Sequence, residues 1–445
     1  MHLALCSLVL LASAFPSRAQ EPAPARLIDG YFDARFEAAP DATADLVAEL
    51  AAAGIDSAAA LETALRAPRA DYPDVSELIG KTSEHEVECY HVDYSSRFLL
   101  YVPPGYEHAT PAPLVLVGHG GNSSMSASRA KRVAESYLAE YAPILAREMG
   151  ALVVAPVSTR GWGHIGNSLL LSTLSQLKRR FAVDPDRIYA TGHSMGGHMT
   201  YRAVLLLADR WAAVSPQSGG YNYVEKQAIG ALQNVPGYAT WGKHEPYGIR
   251  DHNRANAAWA KEHELDWIFR EMDGGHEIYR DELDDVARFF LARPRDLYRD
   301  SVYLRHGGEM KFTQTWAIES WPDHTVHSDT RPLRWNALHW LEVTPRPDVE
   351  GPLTARATRD GNAIDVTANG VRELAIYLHP RMVDFELPVS VTVNGEERFR
   401  GRVEPDLGLM LDLARERDDR GRVYWARIAV PVETDREVDP RPGRR

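Results

Sequence analysis

The stretch Arg187-Ile188-Tyr189-Ala190-Thr191-Gly192-His193-Ser194-Met195-Gly196-Gly197-His198-Met199 decides how this chain is read. Ile188 to Thr191 is short, apolar and β-prone, the pattern of a buried strand. Gly197 to Leu207 repeats apolar residues at helical spacing. Between them stands Gly192-His193-Ser194-Met195-Gly196, a G-x-S-x-G pentapeptide. Such a match arises by chance in roughly one chain in seven of this length, so its weight comes from the strand before it and the helix after it. In that setting a sharp turn lifts a serine off the edge of a sheet. The glycines are needed because the turn is strained and the helix passes close to the strand. The serine then stands at a helix N-terminus, where free N–H groups favour developing negative charge.

Outward from this turn the same alternation continues. Leu114 to Val117, Leu152 to Ala155, Ala212 to Pro216, Tyr238 to Trp241 and Trp267 to Phe269 are short apolar runs bounded by Gly, Pro or Ser. Amphipathic segments separate them, near Ala127 to Glu148, Ser168 to Phe181, His252 to His263 and Asp281 to Leu291. Val87 to Tyr94 and Phe98 to Val102 add strand patterns ahead of the series. Strands joined by helical crossovers predict a parallel sheet covered on both faces, an α/β domain over residues 85–296.

A serine hydroxyl is a poor nucleophile until a base takes its proton, and that base is usually a histidine oriented by a carboxylate. Tyr238 to Trp241 leads into Gly242-Lys243-His244-Glu245-Pro246, a loop carrying a carboxylate. Trp267 to Phe269 leads into Asp273-Gly274-Gly275-His276, a glycine-rich loop presenting a histidine. Ser194 is therefore the expected nucleophile, His276 the general base and acid, and Glu245 the orienting carboxylate, with Asp251 the alternative acid. The transition state needs donors for its oxyanion. Leu114 to Val117 runs into Gly118-His119-Gly120-Gly121, and the backbone N–H groups of Gly121 and Met195 are the expected pair. His119, Trp162 and His193 are candidate pocket residues, Trp162 because its loop follows the strand that ends at Pro156. His193 and His198 flank the serine without a third ligand at metal spacing, so His193 is expected to shape the turn, His198 to pack on the helix, and no metal is expected.

These residues resemble the α/β-hydrolase superfamily from about residue 95 to residue 292. Val183-Asp184-Pro185-Asp186-Arg187-Ile188-Tyr189, with Ser194-Met195-Gly196-Gly197, is similar to secreted esterases of the feruloyl-esterase and polyhydroxybutyrate-depolymerase type. It is equally similar to the catalytic domain of prolyl oligopeptidase-like proteins and to dienelactone-hydrolase relatives. The resemblance implies an eight-stranded, mostly parallel sheet and no cofactor. Two departures stand out. The acid position, usually Asp, is Glu245, with Lys243-His244 before it, and the chain has no room for the β-propeller of prolyl oligopeptidases.

The remainder of the 445 residues divides by texture. Leu3 to Phe15 is apolar but shorter than the roughly 20 residues a membrane span needs. Followed by Ser17-Arg18-Ala19, it predicts a cleaved signal peptide over residues 1–19 and a secreted or periplasmic chain. Residues 20–84 read as a helical segment, with Asp41 to Arg66 broken in two at Gly54. Residues 297–445 lose helical periodicity, apart from Leu407 to Glu416, and gain turn signals at Asp360-Gly361, Asn369-Gly370 and Asn394-Gly395. A β-rich, sandwich-like domain is expected there, and Trp316, Trp321, Trp335 and Trp340 are read as core in preference to a sugar-stacking face. A net charge of -12 argues against nucleic acid, and the 2 cysteines exclude a disulfide scaffold. No later segment reaches membrane-spanning length. The expected function is an extracytoplasmic serine esterase acting on a small-molecule, polysaccharide-linked or polyester-linked ester. A prolyl oligopeptidase-like peptidase is the alternative within enzymes, and an inert hydrolase fold that binds a polysaccharide or partner is the alternative outside them. Oligomeric state is not legible in the sequence.

Overall fold

A computed structural model describes residues 23–34, 42–89, 94–220, 225–246, 248–306, 336–346 and 353–432. The expected signal peptide and Trp316, Trp321 and Trp335 lie outside the described residues. The central element is an eight-stranded sheet built from β1 (Thr82–Glu88), β2 (Ser95–Tyr101), β3 (Ala112–Gly118), β4 (Leu152–Val157), β5 (Val183–His193), β6 (Ala213–Gln217), β7 (Gly237–Gly242) and β8 (Trp267–Met272). Their order is β1-β2-β4-β3-β5-β6-β7-β8. The β1–β2 and β2–β4 pairs are antiparallel, and every pair from β4–β3 to β7–β8 is parallel. Every residue of β3 and of β4 is buried, which is why those strands read as unbroken apolar runs.

Ahead of the sheet lie α1 (Ala23–Asp33), α2 (Ala42–Ala52) and α3 (Ala58–Arg66). The crossovers are α4 (Ala127–Met149), α5 (His164–Arg180), α6 (Met195–Leu206), α7 (Ile249–Glu262) and α8 (Leu283–Leu291). This is the α/β-hydrolase architecture. Among the described residues no helix is long and apolar enough to cross a membrane. Two helices were expected in the leading segment; α1 is a third. Its Ile28, Tyr31 and Phe32 share a core with Leu46 and Leu50 of α2, Leu61 and Leu65 of α3, and Met410 and Leu411 of α9 (Leu407–Glu416). The segment thus packs against an element near the other end of the chain.

Beyond β9 (Ser301–His306) the chain forms β10 (Ala337–Leu338), β11 (Leu341–Pro345), β12 (Leu353–Asp360), β13 (Ala363–Asn369), β14 (Val371–Leu378), β15 (Val389–Val393), β16 (Glu396–Gly401) and β17 (Ala426–Pro431). They make a four-stranded sheet, β10-β11-β14-β17, and a five-stranded one, β16-β15-β13-β12-β9. Alternate residues of β13 and β17 are buried, and both sheets feed one core. Trp340 is fully buried and donates from Nε1 to the Arg299 carbonyl at 2.8 Å, so it is a core residue. The lone described thiol, Cys89, is buried, and burial pushes it up to about 12.

A chain of buried and half-buried charges ties these parts together. Arg66 of α3 donates to Asp186 at 2.8 Å, Asp186 also accepts from Arg295 at 3.0 Å, and Arg295 bonds Asp419 beyond α9, at 3.3 Å for one of the contacts. The Arg295 side chain is 1% exposed and that of Asp419 6%. Asp186 lies near the start of β5, and Asn234, which bonds Tyr303 of β9 at 2.6 Å, precedes β7. Both mark the N-terminal edge of the parallel strands, opposite the edge that carries Ser194. Asp419→Ala leaves Arg295 buried with half its carboxylate partners. The expected cost is about 3–5 kcal/mol, read as a lower denaturation midpoint in urea.

Candidate active site

Ser194 is the single residue between β5 and α6, and its backbone has φ 61° and ψ -118°. A non-glycine residue there is strained, at a cost of about 1–3 kcal/mol. Two bonds hold it: the Ser194 N–H donates to the Gln217 carbonyl at 3.0 Å, and its own carbonyl accepts from His198 N–H at 3.0 Å. The flanking glycines have a steric reason. A β-carbon on Gly192 would come within 2.5 Å of the Gly118 carbonyl oxygen, one on Gly196 would strike the same oxygen, and one on Gly197 would strike the Gln217 carbonyl. The G-x-S-x-G-G pattern is thus the footprint of β3 and β6 passing hard against the turn.

The three expected side chains meet. His276 Nε2 lies 2.8 Å from Ser194 Oγ, and His276 Nδ1 lies 2.6 Å from Glu245 Oε2. A carboxylate only accepts, so the neutral ring carries its proton on Nδ1 and turns the Nε2 lone pair toward the serine hydroxyl. The loops are pinned to each other through their backbones. Lys243 N–H donates to the Met272 carbonyl at 2.9 Å and His244 N–H to the Gly274 carbonyl at 3.0 Å. The Glu245 side chain is wholly buried. Burial alone would raise its pKa, but hydrogen bonds from His276 and Ser218, the charge on His276 and the Gly242 N–H outweigh it and hold the carboxyl below its ordinary range. Asp251 does not take part: it lies in the first turn of α7, its side chain is 67% exposed, and it pairs with Arg250 at 3.0 Å.

The glycine loop after β3 comes beside the nucleophile. A β-carbon on Gly120 would lie 3.3 Å from Ser194 Cβ, and Gly121 has φ 119° with Met125 packed where its side chain would be. Met195 is the first residue of α6, and such an N–H has no acceptor within its own helix. His119 and Trp162 need correcting as pocket residues. They are 0% and 1% exposed, so neither can present a face to a substrate. His119 Nδ1 donates to the Gly120 carbonyl at 2.7 Å, its Nε2 accepts from Ser158 N–H at 3.0 Å, and Trp162 Nε1 donates to the His119 carbonyl at 3.0 Å. The Gly120 carbonyl shares its peptide with the Gly121 N–H, so His119 aims that N–H from behind. His193 is 6% exposed and lies against His276, ring centroids 4.7 Å apart. His198 Nδ1 lies 2.6 Å from the Gly220 carbonyl. Among the described residues no group of His, Cys, Asp or Glu could hold a metal ion.

Two residues escaped the sequence reading. Ser218, the residue after β6, is among the groups that hold the Glu245 carboxyl down, with its hydroxyl 3.3 Å from the Glu277 carbonyl, and had a weak signal, since it follows a central strand. Tyr137, on α4, had none; its hydroxyl lies 2.9 Å from His193 Nδ1.

The fold is that of an α/β-hydrolase, and the side chains it brings together are serine-hydrolase-like. The profile of the prolyl oligopeptidase family matches residues 159–265. No curated protein matches the chain. Among solved structures, a thermostable esterase is similar at 17% identity and TM-score 0.43, over 49% of this chain and 64% of that one. A ferulic acid esterase is similar at 15% identity and TM-score 0.39, over 47% of this chain and 97% of that one. The fluorophosphonate-binding serine hydrolase FphF of Staphylococcus aureus is similar at 14% identity and TM-score 0.38, over 48% and 98%. The chain therefore spans a little under two thirds of the length of the thermostable esterase.

Two outcomes follow from the geometry. Glu245→Gln should lower kcat by about 10³- to 10⁴-fold, because an amide can donate and no longer selects the Nδ1–H form of His276, while Asp251→Asn leaves kcat nearly unchanged. Steady-state kinetics on the two variants rank them. The second concerns pH. Burial pushes both His193 and His198 down to about 4. Their pKa is lower folded than unfolded, so between about pH 6.5 and 4 the unfolded chain takes up protons the folded one refuses. Stability should be full above that window and fall as pH drops through it, by up to about 1.4 kcal/mol per pH unit for each histidine. Urea midpoints taken from pH 7 to 4.5 measure the slope, and His198→Asn should make it shallower.

Proposed function

We propose that this chain cleaves carboxylic esters through an acyl-enzyme intermediate. The observation that carries the reading is the hydrogen-bonded series Ser194–His276–Glu245 beside the glycine loop that ends β3. As Ser194 Oγ attacks the ester carbonyl carbon, its proton passes to His276 Nε2, and Glu245 stabilises the imidazolium without taking a proton itself. The Gly121 and Met195 N–H groups accept the negative charge that develops on the carbonyl oxygen. The tetrahedral intermediate collapses, His276 returns the proton to the leaving alkoxide, and the acyl group remains on Ser194. Water then attacks with His276 as base, which releases the carboxylic acid and restores the hydroxyl. The chain would act outside the cytoplasm after loss of residues 1–19, on a small ester or one attached to a polysaccharide or polyester.

The match of residues 159–265 to the prolyl oligopeptidase family favours a second reading, hydrolysis of a peptide bond by the same machinery. An ester and an amide with the same acyl group separate the two: faster turnover of the ester by several orders supports the first, and comparable rates support the second. Ser194→Ala should reduce p-nitrophenyl ester hydrolysis by about 10⁴- to 10⁶-fold. Retention of the wild-type rate would rule out both readings.

A further inference from the structure

We propose that Tyr137 is a positioning residue of the catalytic centre, its hydroxyl fastening the oxyanion loop to the histidine packed behind His276. The inference rests on the reading of Ser194 as nucleophile. Tyr137 projects from the middle of α4, far in sequence from each of its partners. Its hydroxyl packs on Gly120, where a β-carbon would come within 2.3 Å of it and whose backbone N–H acts on it, and lies 2.9 Å from His193 Nδ1. A backbone N–H can only donate, so the hydroxyl accepts there, and its own proton is directed to His193 Nδ1. That assigns the remaining proton of a neutral His193 to Nε2, a buried atom with no partner among the described residues. The His193 ring in turn lies against His276, centroids 4.7 Å apart and planes at 43°.

One phenol thus touches both halves of the machinery. On one side it anchors the peptide before Gly120, while His119 holds the carbonyl of the peptide after it. Gly120 is clamped on both flanks, and the Gly121 N–H that follows has little freedom to turn away from the serine. On the other side the phenol fixes the rotation of His193, the surface on which the His276 ring rests. Such preorganisation matters in the transition state, where charge appears on the oxyanion and on His276 together, and much less when substrate first binds.

Tyr137→Phe removes the hydroxyl and keeps the ring. Expected is a fall in kcat of about 10- to 100-fold with KM for a p-nitrophenyl ester within about twofold, and a similar slowing of Ser194 labelling by a fluorophosphonate. Tyr106→Phe is the control. That hydroxyl accepts from Ala182 N–H at 2.7 Å at the start of β5, so its loss also strips a partner from a buried backbone donor, remote from the serine. It should lower the melting temperature and leave kcat near wild type. His193→Asn combined with Tyr137→Phe should be clearly less damaging than the product of the two single effects, because both break one connection. The proposal is overturned if Tyr137→Phe keeps wild-type kcat and labelling, if its losses in kcat merely match those of Tyr106→Phe, or if the two active-site changes multiply. Ester turnover and labelling that survive Ser194→Ala would instead overturn the reading of the site.

Discussion

The arrangement depends on one strained residue. Ser194 has a backbone conformation that L-amino acids avoid, and it keeps it because β3, β5 and β6 leave no space for an alternative. A bond from Ser194 N–H to Gln217 binds the turn to β6, and the first turn of α6 closes on the Ser194 carbonyl. Straightening this turn would swing Oγ away from His276 and at once separate the start of α6 from the glycine loop after β3. The position of Ser194 Oγ and the placement of the glycine loop beside it are therefore a single constraint. The strain of about 1–3 kcal/mol is offset by the packing of a sheet whose central strands are buried on both faces.

Burial then sorts the histidines around that point. His119, His193 and His198 are enclosed and pushed toward the neutral form, each held by a carbonyl, an N–H or a hydroxyl. His276 is different: its side chain is 29% exposed, one nitrogen faces the serine and the other a fully buried carboxylate. Desolvation opposes a proton on each of the three enclosed rings. Neutral neighbours place no like charge beside His276.

Legibility in the sequence tracked how local the physics is. The elbow could be read because its glycines answer to contacts that the strand–turn–helix pattern itself implies. The order Ser194, acid, His276 could be read because each loop leaves the end of a parallel strand. The choice between Glu245 and Asp251 could not, since it turns on where α7 begins: Gly248 precedes that helix in a left-handed conformation and Asp251 becomes a surface residue of its first turn. His119 and Trp162 look like lining groups in one dimension because glycines surround both. Only the fold reveals that the loop after β4 runs beneath the one after β3 and uses them as supports. Tyr137 left no trace, because one tyrosine in an amphipathic helix is indistinguishable from a packing residue.

The opposite edge of the sheet explains why the catalytic edge can be built this way. Arg66, Asp186, Arg295 and Asp419 form a series of charges, half-buried at Arg66 and Asp186 and nearly dry at Arg295 and Asp419, that joins the leading helices, β5 and the region after α9. Asp186 belongs to β5, the strand that leads directly into Ser194. Desolvating such charges returns little net stability compared with apolar packing, and what it supplies is a single permitted arrangement, because any shift leaves a buried ion unpaired. The β-rich sheets are thereby held at the N-terminal ends of the strands through Asp186 and Asn234, away from Ser194, Glu245 and His276. The loops at the C-terminal ends carry Ser194, Glu245 and His276 free of that network, and β5 joins the two edges, with Asp186 near one end and Ser194 just past the other.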